Sequence, residues 1–376
     1  MDFAFSQEQD SIRDLVRGIL EKEVDHDRLK IVEAGDEWID RKLWATLAEA
    51  GLLGIAVPED AGGMGFRFQE ICVLLEEVGR TVAPVPVLST LVLGALPIAR
   101  FGTAAQRAEL LPPTVAGDAM LSAALEDAAS SDIERPATRA RRQGDGWSID
   151  GDKLFVPLAA QSQRILLPAT TDDGVCVFLV DPHAAGVELE GSRLANGQNI
   201  ARVRLRQVAV TDGDLLGGVA GNGAEQIRWV YERAQVAIAA LQVGVSARAL
   251  EITSSYVSER IQFGVPIGTF QAVQHRAADG YIDIQAMRWV MWRAAWRLSE
   301  ELPASREATV AKFWAADAGT RMANTAQHLH GGIGVDRDYP IHRYFLWSKS
   351  LELTLGGVPH QLGDLGRDMA RTGPGN

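Results

Sequence analysis

"SERIQFGVPIGTFQAVQ", Ser258 to Gln274, is the stretch on which the fold turns. On both sides of it apolar residues recur at helical intervals over unusually long runs, 225–259 before it and 270–301 after it. Two more such runs follow, 306–329 and 343–355, and four antiparallel helices with short connections make a bundle. Upstream, 119–222 has a different texture. "WSIDGDKLFV" (Trp147–Val156) reads as strand, turn and strand around Asp150-Gly151. "RILLPA", "VCVFLV", "VELE" and "ARVRLRQVAV" follow at strand length, and Val203, Leu205 and Val208 set against Arg202, Arg204 and Arg206 predict an antiparallel sheet with one wet face. Residues 1–118 are helical again. Ser6 and Gln9 have capping-box spacing ahead of Ile12, Leu15, Val16, Ile19 and Leu20. Helical patterns also cover 41–50, 68–78 and 103–115, and the paired glycines of "PEDAGGMGF" (Pro58–Phe66) mark a turn between them. The expected fold class is therefore α+β in three domains: a helical N-terminal domain (1–118), a central antiparallel, barrel-like β domain (119–222) and a C-terminal four-helix bundle (223–376). The tail "RTGPGN" reads as loose.

Composition narrows the function. A chain of 376 residues with 47% apolar and 23% charged residues is ordinary for a globular protein with several cores. Its net charge of -12 speaks against a sequence-independent nucleic-acid binder and against anionic membrane surfaces. Cys72 and Cys176 sit in apolar runs, as buried thiols of a reducing compartment do. No stretch approaches the ~18 consecutive apolar residues of a membrane span, and "MDFAFSQEQDSIRD" has no export-signal pattern. The expected location is the cytoplasm, with neither nucleic acid nor membrane as partner.

Three loops carry candidate chemistry. In the opening stretch, Arg260 is suited to a bidentate phosphate contact, Phe263 to packing on a ring and Gln271 to a nucleotide's polar edge; an inter-helix loop with a capping arginine would use the same residue types. "HLHGGIGVDRDYPIHRYF" (His328–Phe345) ends a bundle helix at Gly331 and Gly332, which permit close approach of a polar group to the backbone. His328 and His330, two apart on a helix, do not share a face, so no metal site is expected. "ALEDAASSDIERPA" (Ala124–Ala137) places Ser130-Ser131-Asp132 just ahead of the first hairpin, either as ligand hydroxyls or as a turn.

Taken together and in this order, these segments resemble the acyl-CoA dehydrogenase family over essentially the whole chain. "PEDAGGMG" resembles its N-domain turn, "LEDAASSD" its Thr-Glu-Pro-x-x-Gly-Ser-Asp segment, and "GWSIDGDKLFV" the hairpin that follows. "RIQFGVPIGTFQ" is similar to the Arg-x-x-Phe-Gly loop that reaches the FAD of a neighbouring subunit, and "HLHGGIG" to the Gln-x-x-Gly-Gly-x-Gly loop completing that contact. The resemblance implies oxidation of an acyl-CoA thioester to the 2,3-enoyl-CoA. A glutamate removes the α-proton, and FAD accepts a hydride from the β-carbon. It also implies FAD contacts from Arg260, Phe263, Gln271, His328, Gly331, Gly332 and Ser131, and an electron-transfer flavoprotein as acceptor.

The chain departs from the family where the reaction happens. In "LELTLGGVPHQL", Leu355 stands at the glutamate's place, with Gly356, Gly357 and Gln361 at the positions that follow. The alternative glutamate position near the start of the long helix holds Ala234, with Gln235 for the usual arginine. Leu125 and Asp127 flank Glu126 where Thr and Pro are usual, and Phe155-Val156-Pro157 replaces Trp-x-Thr, removing flavin-directed donors. Groups serving the chain's own cofactor and substrate are lost, and groups lent to a neighbour's cofactor are kept. That asymmetry predicts the base-lacking subunit of an α2β2 enzyme, paired with a sister chain that carries the catalytic glutamate, as in actinobacterial paired enzymes acting on steroid side-chain CoA thioesters. The competing expectations are a homomeric dehydrogenase with a displaced base such as Glu352, and a non-enzymatic scaffold of the same fold.

Overall fold

The computed structural model describes residues 5–373; the last three residues of the "RTGPGN" tail lie outside them. Helix α1 (Gln7–Glu23) opens on the expected capping box, with Gln9 N donating to Ser6 Oγ (3.2 Å) and Ser6 N to Gln9 Oε1 (3.1 Å). Helices α2 (His26–Ala34), α3 (Arg41–Glu49) and α4 (Phe68–Thr81) follow. The turn at 58–66 is dictated by close approach: a Cβ on Gly63 would lie 2.0 Å from the Val57 carbonyl oxygen. A π-helical segment (Leu88–Ala95) runs into α5 (Leu96–Phe101), and α6 (Ala104–Val115) starts on a second capping box, Thr103 with Gln106.

The strands are β1 (Leu121–Ala123), β2 (Glu126–Asp127), β3 (Arg139–Gln143), β4 (Gly146–Pro157), β5 (Arg164–Thr171), β6 (Gly174–Val180), β7 (Val187–Arg193) and β8 (Asn199–Thr211). They form one sheet of order β1-β5-β3-β4-β8-β7, with β2 on β4 and β6 on β5. Two expectations need correction. Asp150-Gly151 is no hairpin turn: β4 runs straight through it, and the reversal lies between β3 and β4 at 144–145. The pair instead marks a register shift against β8, where Asp150 Oδ1 accepts from Gln207 N at 3.0 Å. A Cβ on Gly151 would lie 2.4 Å from Thr138 Oγ1, so the glycine serves a bulge. The sheet is also not wholly antiparallel, since β5 runs parallel to both β1 and β3.

Helix α7 (Gly223–Glu259) leads to a short ribbon, β9 (Ile261–Gln262) and β10 (Val265–Pro266), then to α8 (Gln271–Ser299), α9 (Ser305–His330), α10 (Ile341–Leu353) and α11 (Val358–Thr372). The last is unanticipated by the sequence reading. Against the expectation that no span-like stretch exists, α7 is long and apolar enough to cross a membrane, but 72% of its most apolar window is buried in the protein, as in a core helix.

The chain packs as two compact units. One contains the described residues to Ile31, Phe68–Ala83 and those from Gln235 on; the other contains Val32–Arg67 and Pro84–Ala234. In the first, α4 is pinned by buried carboxylates: Glu70 accepts from Gln9 Nε2 (2.8 Å), and Glu77 from Arg17 (2.6 Å). In the second, the sheet core centres on Trp147, Ile149, Phe178, Val203 and Leu205, all nearly or fully buried.

Candidate functional site

The Arg260 loop is an exposed arm. Beyond α7, the two-residue turn Phe263-Gly264 has positive φ at both positions (53° and 83°), as a twisted hairpin's tightest turn requires. A phenylalanine in that backbone region is strained, a feature that collects at functional loops. Phe263 is 94% exposed and only its edge meets Phe270, at 6.1 Å. Arg260 is exposed, and among the described residues no hydrogen bond or ion pair engages its guanidinium; only its backbone is fixed, the carbonyl accepting from Ile267 N at 2.8 Å. Gln271, first residue of α8, is exposed too.

The glycine loop lies close to the end of α7. His330 closes α9 and stacks on Tyr256 of α7, centroids 4.5 Å apart. Gly331 takes φ 61° and ψ -136°, a conformation open to glycine alone, and Gly331, Gly332 and His328 are exposed. The two histidines thus diverge: His330 is 3% exposed, with Nδ1 2.8 Å from the Ala326 carbonyl. Burial holds its pKa below the usual histidine range, against the pull of that hydrogen bond. Its Nε2 and the neighbouring Gln327 Oε1 are both buried with no hydrogen-bond partner. A Cβ on Gly334 would lie 2.3 Å from Gln327 Oε1 and 3.3 Å from His330 Cβ. The sequence reading considered His330 only as a metal ligand and passed over Gln327. Among the described residues no group of three or more potential ligands gathers.

The turn after α10 holds Leu355, 8% exposed and at φ 57°. Gln361, fully buried on α11, donates from Nε2 to the Leu355 carbonyl (2.9 Å) and to that of Gly356 (3.1 Å). Its Oε1 accepts from Gln235 Nε2 at 2.9 Å. Through Gln361, Gln235 therefore braces the turn that holds Leu355, and the bracket is uncharged. Ala234 is wholly buried. Lys312, also buried, caps α10 from below, donating to the carbonyls of Leu351 (3.1 Å) and Glu352 (3.0 Å). Glu352 faces α9: its Oε2 accepts from Thr320 Oγ1 at 2.7 Å and is ion-paired with Lys349. A carboxylate committed to a hydroxyl and an ammonium is poorly placed to take a substrate proton.

In the β unit, Asp127 builds structure. Its Oδ2 accepts from Thr138 N (2.9 Å), Thr138 Oγ1 (2.7 Å) and Lys153 Nζ (3.1 Å), with Lys153 wholly buried. Burial pulls the Lys153 pKa down to about 8 despite the carboxylate beside it. Burial pushes Asp127 up, but the Lys153 charge and the Thr138 bonds outweigh it and leave the carboxyl below its usual range. Leu125 is buried, Phe155 is 55% exposed at φ 51°, and the Pro157 carbonyl is taken by Ser122 Oγ at 2.5 Å. Ser131 is exposed; the turn around it is closed by Ser130, whose Oγ donates to the Arg135 carbonyl at 2.8 Å.

Residues 6–118 match the acyl-CoA dehydrogenase N-terminal domain and 221–369 the acyl-CoA dehydrogenase C-terminal domain. The chain belongs to the acyl-CoA dehydrogenase family. It is 35% identical to the acyl-CoA dehydrogenase FadE27 of Mycobacterium tuberculosis, covering 99% of this chain and 100% of that one. A chain of the Tcur3481-Tcur3483 steroid ACAD, solved as a G363A variant, superposes with a TM-score of 0.91 at 44% identity, over 97% of this chain and 98% of its own. A chain of the ChsE4-ChsE5 complex from Mycobacterium tuberculosis gives a TM-score of 0.93 at 35% identity, over 99% and 100%. Acyl-CoA dehydrogenases are oxidoreductases, and their cofactor is FAD. The acyl-CoA dehydrogenase fold accounts for the order of helical, β and helical regions seen here.

Proposed function

We propose that this chain is the base-lacking subunit of a cytoplasmic, heteromeric FAD-dependent acyl-CoA dehydrogenase that introduces a 2,3 double bond into a steroid side-chain CoA thioester. The observation that carries the reading is the bracket at position 355: a buried leucine whose carbonyl is held by Gln361, itself bonded to Gln235, with Glu352, three residues earlier, tied to Lys349 and Thr320. Leucine takes no proton, so the α-proton leaves through a glutamate on the partner chain. Two of the relatives are known as complexes of two different chains, and one is described as a steroid enzyme, which supports both the pairing and the substrate class.

FAD supplies the two-electron acceptance, and this chain's residues fit one part of it. Arg260 offers an unengaged guanidinium to a pyrophosphate oxygen. Phe263 packs on a ring, Gln271 adds a polar edge, and Gly331 and Gly332 admit close approach of the backbone. His328 stands at the rim, and beneath it Gln327 Oε1 and His330 Nε2 are acceptors in want of ligand hydroxyl or amine donors. On the chain's own flavin-facing side, Ser131 keeps a hydroxyl, while Leu125, Phe155 and Pro157 offer no side-chain donor. The cofactor is therefore shared across the interface, and electrons pass on to an electron-transfer flavoprotein.

The test is purification of this chain alone and with a sister acyl-CoA dehydrogenase chain, recording visible absorbance and native mass. One FAD per pair of chains, only on co-expression, is the expected result. One FAD per chain in the protein alone, with turnover, would overturn the proposal.

A further inference from the structure

Within the unit that contains the C-terminal helices, a cavity of ≈ 440 Å³ opens between α1, α2, α4, α7 and α10. Its deepest charge is Arg343, 3% exposed, whose Nη1 lies 2.7 Å from His26 Nδ1. A guanidinium can only donate, so Nδ1 is the bare nitrogen and the ring hydrogen sits on Nε2. That Nε2 is buried without a hydrogen-bond partner, a donor taken from water and given nothing in return. Two helices begin at the same place. His26 is the first residue of α2, and Arg343 and Tyr344 lie in the first turn of α10, so both helices direct their positive ends here.

Two further arginines line the cavity. Arg80 and Arg248 share a single carboxylate, that of Glu251, at 2.5 and 2.9 Å. Glu21 and Asp25 also line the cavity, but both are exposed to screening water, and Asp25 already caps α2 by accepting from Arg28 N at 2.7 Å. The buried part of the cavity thus offers donors and positive charge, while its acids sit in solvent.

We propose that this cavity is a second ligand site, taking a small oxyanion, phosphate or carboxylate, between the guanidiniums of Arg343 and Arg248 and the His26 Nε2 hydrogen. None of the residues assigned above to FAD, nor Leu355, lines it. The test is calorimetric titration of the protein, as the heteromer if that is how it purifies, with inorganic phosphate and separately with succinate, in chloride buffer at fixed ionic strength. Saturable binding of either anion at one per chain is expected, and the arm that binds identifies the source. Arg248→Gln, at a 45% exposed side chain, and His26→Phe should each weaken it by about tenfold or more. Arg135→Gln removes the same charge from an 87% exposed position and should change nothing. No saturable heat with either anion, variants that bind like the wild type, or an equal loss in Arg135→Gln would overturn the proposal. Circular dichroism of His26→Phe separates lost binding from lost fold, and Arg248→Gln keeps the test valid if that variant fails to fold.

Discussion

At position 355 a leucine holds backbone angles that ordinarily favour glycine, while its side chain is buried. The two effects oppose each other: left-handed backbone costs roughly 1–2 kcal/mol, and burying a leucine returns about 2 kcal/mol. Leu355→Gly should therefore change stability by less than about 1 kcal/mol, whereas Leu355→Ala forfeits the burial without relief and should cost about 2–3 kcal/mol. Urea midpoints of the two variants check the ordering. Gln361 matters more, because Gln361→Leu strands two carbonyls and the Gln235 amide at once; a loss of about 2–4 kcal/mol is expected. A double-mutant cycle with Gln235→Leu should show coupling of about 1 kcal/mol or more, and additive losses would contradict the bracket. The sequence alone singles out Leu355, through the resemblance that puts a glutamate at its place. It does not reveal Gln235 as a member of the same turn, because 126 residues separate it from Gln361 and only the packing of α7 on α11 joins them.

At the scale of elements, the pair Asp127–Lys153 fastens β2 to β4. Because the Lys153 pKa in the folded chain, about 8, lies below the 10.5 of an unperturbed lysine, the unfolded chain binds more protons between those values. Stability contributed at this site therefore rises as pH climbs from 8 towards 10.5, and is least favourable below 8. The stability of wild type minus that of Lys153→Met should increase across pH 7 to 10 by an amount on the order of 3 kcal/mol. A difference flat in pH would mean Lys153 titrates normally. Elements with a local signature are legible from sequence, as α1 is from Ser6 and Gln9. Asp150-Gly151 misleads because the same dipeptide suits a tight turn and a bulge, and only the Thr138 side chain against Gly151 decides between them. Helix α11 escapes notice because Gly357, Pro359 and Gly363 look like breakers, although a proline in the first turn is a common helix start.

At the scale of the molecule, the cofactor reading separates stability from function. Arg260 is exposed and unengaged, so Arg260→Ala should leave the melting temperature unchanged and lower FAD retained by the heteromer about tenfold or more, with Arg260→Lys restoring only part. Absorbance per mole of complex after gel filtration checks this; full retention in the alanine variant would remove Arg260 from the site. The order of helical, β and helical regions is legible from periodicity. We keep 1–118, 119–222 and 223–376 as a proposal for the domain boundaries, although 68–83 packs with the C-terminal helices. Periodicity is blind to that, because it records which face of a helix is apolar and not which neighbour covers it.

The arm that carries Phe263 has one more consequence. An aromatic ring 94% exposed at the tip of a strained turn, beside an exposed Ile261, is the kind of surface that chaperones hold and proteases patrol. If the chain pairs as proposed, an excess over its partner would leave that surface bare, and matched synthesis of the two chains would keep it covered.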